Sequence, residues 1–178
     1  MEEWQIVLLT GGISVVSSII TALITLSRTH RNEVKKRSAL YFEFYDVAEM
    51  LLHNNNKVYD SEYIKVLLQF KPKMKLLSSK DTVEIFRSFF EFVTKKYEEY
   101  REFCTENDPR VNPKYFHTYI DEDGVEQEEW HGNALEVSYF ESDAEKFKVD
   151  NMPSKEEISK HITALYEQMR KDLGSNIK

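Results

Sequence analysis

WQIVLLTGGISVVSSIITALITLSRTHR, residues 4–31, is the stretch on which the reading of this chain turns. From Trp4 to Ser27 no residue is charged, and a helix rising about 1.5 Å per residue over that length reaches the ~30 Å of bilayer hydrocarbon. Glu2 and Glu3 precede the run, whereas a cleaved signal peptide starts basic and has a shorter apolar core. Arg28, Arg31, Lys35, Lys36 and Arg37 follow it against the single acid Glu33, and no Lys or Arg comes before it. The positive-inside rule then predicts an N-terminus outside and a C-terminal part in the cytoplasm. The expectation is a single-pass protein of the inner (plasma) membrane. It has a transmembrane helix over 4–27, a basic juxtamembrane segment over 28–37 whose five cations meet lipid headgroups, a mostly helical cytosolic domain over 38–174, and a tail, 175–178.

On a helical wheel Thr10, Ser14, Ser17, Ser18, Thr21 and Thr25, with Gly11 and Ala22, fall within an arc of about 140°, interrupted only by Val7. The rest of the circumference is mainly Ile, Leu and Val. Helices in hydrocarbon associate by close backbone approach at small residues and by interhelical hydrogen bonds, so Thr10, Gly11, Ser14, Ser17, Ser18, Thr21 and Thr25 are expected to form a packing face, with a homo-oligomer as the result. Two other readings stand beside it. Each hydroxyl can bond back to its own i−4 carbonyl and need no partner, or the face can line a pore in a larger assembly.

The remaining chain supports one domain with a core. At 178 residues there is room for one, and 31% charged with 13% aromatic residues gives enough apolar material to fold despite a net charge of −7. Cys104 has no second cysteine to pair with and is expected to fill core space. Val34, Leu40, Phe44, Val47, Ala48, Leu51 and Leu52 recur at helical spacing up to the polar run His53 to Asn56, so the first helix is expected to run on or kink past the span and end there. Ser61 is expected to cap a short helix through Phe70, broken by Pro72 and followed by a helical piece over 74–77, with a strand over YIKVLLQF as the alternative. After Ser79 or Asp81 the residues Val83, Phe86, Phe90, Val93, Tyr97, Tyr100 and Cys104 fall three or four apart, widened by Ile85, Phe89 and Phe92. That pattern predicts a long core helix ending at Asn107. Ser154 and Glu157 have capping-box spacing ahead of Ile158, Ile162, Leu165, Met169 and Leu173, and Gly174 is a stop signal.

Residues 115–145 carry ten acids and no Lys or Arg. Within them YFHTYIDEDGVEQEEW places Asp123-Gly124 between two runs of strand character, which predicts a small acidic β-hairpin over 115–131. Asp121, Asp123, Glu126, Glu128 and Glu129, near His117 and His131, are read as a surface for a basic protein partner. A metal-dependent hydrolase using the 121–129 cluster is a further alternative. Against it, Gly124 comes too early for an EF-hand loop, and neither HxxxH nor CxxC occurs. GxSxG, GxxxxGK[ST] and GxGxxG are absent too, so no catalytic residue, metal or cofactor is expected. Lys57, Lys65, Lys71, Lys73, Lys75 and Lys80 form a second basic region, but the domain is net acidic, and nucleic acid is not expected as a partner. A small anion held by Lys71, Lys73 and Lys75 is an alternative use of these lysines.

The N-terminal run, the flank RTHRNEVKKR and the stretch KPKMKLLSSKDTVEIFRSFFEFVTKKYEEY together resemble small, mostly uncharacterised prokaryotic single-pass membrane proteins with a helical cytosolic domain. The resemblance covers residues 4–105, one of layout and composition, and carries over no functional residue. It implies an accessory or effector role, in some cases near defence or mobile-element genes. The expected function is a non-enzymatic, membrane-anchored interaction or scaffold protein that self-associates through its span. An oligomerising, membrane-disrupting or pore-forming effector is the alternative.

Overall fold

A computed structural model describes residues 3–174, with side chains described at Ser18 and from Thr21 onward. Five helices carry the chain: α1 Glu3–His53, α2 Ser61–Leu77, α3 Lys80–Asn107, α4 Ala134–Asn151 and α5 Lys155–Asp172. One antiparallel hairpin, β1 Phe116–Ile120 and β2 Glu126–Trp130, stands between α3 and α4. The fold is mostly helical with a small hairpin, as the sequence leads one to expect.

The membrane expectation is corrected. Among the described residues no helix is long and apolar enough to cross a membrane. From Arg28 on, α1 is studded with charge and continues as helix to His53. The transmembrane helix over 4–27, the single-pass topology and the inner-membrane placement with the N-terminus outside therefore have no support in the described chain. Thr10, Gly11, Ser14 and Ser17 lie where no side chain is described.

The core lies where the second half of α1 meets α2, α3 and α5. Every described side chain from Thr21 to Glu33 is exposed, and burial begins with Leu40, Tyr41, Phe44, Ala48 and Leu51. Phe44 is the hub: its ring stands edge-to-face with Phe70 at 5.4 Å, Phe86 at 5.5 Å and Phe89 at 5.8 Å, joining three helices through one fully buried side chain. α5 closes the bundle with Ile158, Ile162, Leu165 and Met169, all buried. Polar ties lock the helices in register. Tyr63 donates to the Val47 carbonyl at 3.2 Å, and Tyr166 donates to the Tyr45 carbonyl at 3.2 Å.

Two elements differ from expectation. α2 runs unbroken through Pro72 and is capped by Asp60, which accepts from the Glu62 N–H at 2.9 Å, instead of by Ser61. Proline in a helix deprives the i−4 carbonyl of its donor, but Leu68 and Pro72 are both exposed, so water can satisfy that group and the helix survives. α4, unread in the sequence, occupies the second half of the acidic stretch. Asn133 and Glu136 form a full capping box at its start, with the Asn133 side chain accepting from the Leu135 and Glu136 N–H groups and Glu136 accepting from Asn133 N–H at 3.0 Å. Phe140 and Phe147 of α4 stack on Phe103 of α3, with Ala144 buried alongside.

Candidate functional site

The hairpin is built from a turn that the sequence dictates. Asp121 takes the backbone N–H groups of Asp123 at 3.0 Å and Val125 at 2.8 Å on one carboxylate oxygen, and the Gln127 amide at 3.0 Å on the other. Gly124 closes the loop at φ +77°, a conformation that residues with a Cβ rarely adopt. These hydrogen bonds hold the Asp121 carboxyl below the usual carboxylate range, the Val125 N–H first among them. Asp121 is thus a turn residue that stays ionised.

At its base the hairpin is rooted in the chain that leaves α3. Trp130 donates its indole N–H to the Pro109 carbonyl at 2.6 Å, and His131 N–H reaches the Tyr115 carbonyl at 2.8 Å. Gly132 is required next to it, because a Cβ there would overlap the Trp130 ring. The loop is fixed in turn by Arg110, which grips Asp108 with two parallel bonds of 2.9 Å, spreads over the Phe140 ring at 5.6 Å and reaches Glu141 at 3.4 Å. Burial raises the Asp108 carboxyl, but the Arg110 guanidinium outweighs it and the group lies below its ordinary value.

Beyond that base the hairpin projects. His117 to Ile120 and Glu122 to His131 are all exposed, and in a two-stranded sheet each strand leaves one edge unpaired. Cross-strand pairing puts Ile120, Thr118 and Phe116 on one face with Glu126, Glu128 and Trp130, and His117 and Tyr119 on the other with Glu129 and Gln127. The five acids read from the sequence are therefore not gathered at a point. Asp121 and Asp123 form the turn, Glu126 and Glu128 share a face, and Glu129 lies behind it. Among the described residues no group of three or more His, Cys, Asp or Glu is placed to hold a metal ion. His117 and His131 stand 5.8 Å apart, ring to ring, with Glu129 3.9 Å from His131.

The hydroxyl face assigned to the first helix is described only at Ser18, Thr21 and Thr25, and all three are exposed. Thr25 donates to the Thr21 carbonyl at 2.8 Å, the back-bonded arrangement that needs no second helix. Arg28, Arg31, Lys35 and Lys36 are exposed and Arg37 half-buried. Cys104 is half-buried, and burial raises its thiol. Two features were missed by sequence reasoning. One is an apolar groove of about 450 Å³ between α1 and α5, lined by Tyr41, Phe42, Tyr45, Tyr166 and Leu173. The other is a cleft of about 190 Å³ between α2 and α3, where Lys71, Lys75 and Arg87 surround Val83, Phe86 and Phe90. The helical spacing of 71, 75 and 83, 87, 90 gives each half of that cleft, but not their meeting.

Comparison of the chain with protein-family models, with curated proteins and with solved structures finds no match.

Proposed function

We propose that this chain is a non-enzymatic protein-contact module that presents its acidic hairpin to a basic partner. One observation carries the reading: a hairpin whose strands bury almost nothing is nevertheless tied at its base, by Trp130 bonding to Pro109 with Gly132 leaving room for its ring, to a loop that Arg110 braces through Asp108. A two-stranded hairpin is marginal on its own, so one that is anchored while both its edges stay open supports reading it as a contact surface. Six acids and no Lys or Arg over 116–130 give that surface its sign, and exposed Tyr119, Ile120, Val125 and Trp130 give it apolar anchors.

The test is a photo-crosslinking residue placed at Thr118 in the protein expressed in cells, with exposed Lys160 on α5 as the control position. A discrete protein adduct is expected from Thr118, absent from Lys160, and reduced at least about tenfold by Glu126→Lys with Glu128→Lys. Equal adducts from both positions, or an adduct indifferent to the charge reversal, would remove the hairpin from this role.

A further inference from the structure

We infer that the hairpin tip docks on a second copy of this chain, net acidic as a whole but cationic at the cleft between α2 and α3 that receives the tip. The cleft is cationic at the rim and apolar at the floor. Lys71 and Lys75, one turn apart on α2, and Arg87 on α3 stand around Val83, Phe86 and Phe90, with the Lys71 ammonium 5.1 Å above the Phe90 ring. All three cations are exposed and, among the described residues, none is in an ion pair, whereas neighbouring Lys73 is taken by Glu43 at 3.1 Å. Outward from the lysines α2 presents Leu68, Pro72 and Leu76 as an exposed row at i, i+4 and i+8, with Leu76 82% exposed.

The tip has the opposite charge and the same mix of polarity. Glu122, Asp123 and Glu126 carry exposed carboxylates, and between them Ile120 at 74% and Val125 at 52% exposure lie open to solvent. Acids against Lys71, Lys75 and Arg87, with Ile120 and Val125 against the apolar floor and the α2 row, complement each other in charge and in polarity. The contact forms between copies. Arg87 is about 30 Å along α3 from the end at which the hairpin is rooted, while a five-residue strand spans about 17 Å, so a tip falls short of its own cleft. A two-fold pair with reciprocal tips satisfies the contact, as does a head-to-tail row.

This inference rests on the hairpin being a contact element, and the two fail separately: a monomeric protein whose hairpin still crosslinks to another protein loses only the second copy. The experiment is sedimentation of the purified full chain at about 50 mM and about 500 mM salt. Concentration-dependent association is expected, weakened at least about tenfold by the higher salt. Lys71→Glu with Lys75→Glu, and separately Glu122→Lys with Asp123→Lys, each weaken it by a similar factor, with helical circular dichroism unchanged because all four side chains are exposed. An equimolar mixture of the two variants associates again, since the reversed charges match. Monomer at every concentration, or variants that do not complement each other when mixed, would overturn the inference.

Discussion

At the scale of single residues, Asp172 does the most with the least. One of its carboxylate oxygens accepts from the Tyr41 hydroxyl at 2.7 Å, the Thr82 hydroxyl at 2.8 Å and the Ser79 N–H at 3.0 Å. It thereby ties the end of α5 to the start of α3 and to α1, with Thr82 fully buried beside it. Burial pulls the Asp172 carboxyl upward, but the three donors outweigh it and hold it below the usual range, while burial pushes the Tyr41 phenol up to about 12. A depressed carboxyl contributes stability that is complete above its unfolded pKa and is lost as pH falls through the folded value. Asp172→Ala is expected to cost about 2 kcal/mol at neutral pH, because it strands buried donors. Below about pH 4 the gap between variant and wild type narrows. Urea unfolding of both proteins across that range checks the size and the sign.

Among the elements, α4 depends on its cap more than the others do. Leu135, Tyr139 and Val149 point to solvent while Phe140 and Ala144 are buried, so apolar residues surround the helix and no single stripe drives it onto the bundle. That distribution is also why periodicity did not reveal it, although Asn133 and Glu136 spell a capping box. Asn133→Ala is expected to cost about 1 kcal/mol and to leave α3 and α5 intact. Amide exchange that accelerates over 134–151 alone is the signature, and uniform acceleration along the chain would contradict it. α3 is the opposite case. Phe86, Phe90 and Val93 lie on one stripe from the Ser79 cap onward, and the helix is found where that stripe ends, at Asn107. Pro72 shows the limit of reading a breaker alone: whether proline ends a helix depended on Leu68 facing water.

For the whole molecule, Phe44 is the point at which α1, α2 and α3 become one body, because its ring meets Phe70, Phe86 and Phe89 at once. Phe44→Ala removes those contacts and leaves a cavity at a site with no exposed side to collapse from. A loss of about 3–5 kcal/mol is expected, read as a lower urea midpoint with an unchanged slope. α1 also belongs to this scale. Its second half is core and its described first half, from Thr21 to Glu33, is wholly exposed, so one continuous helix both closes the bundle and extends beyond it.

Local physics was legible in the sequence. Hydrophobic spacing located the long helices, Ser79 and Ser154 their starts, Gly174 a stop, and Asp123-Gly124 the hairpin turn, because each depends on a few neighbours in the chain. The long uncharged run was legible only as composition, and the membrane span inferred from it has no counterpart among the described residues. What depended on tertiary structure was everything that joins distant residues: Asp172 with Ser79, Arg110 with Glu141, and Lys71 and Lys75 with Arg87 around one cleft. No pattern along the chain encodes such meetings, since they are fixed by how the helices pack and not by the spacing within any one of them.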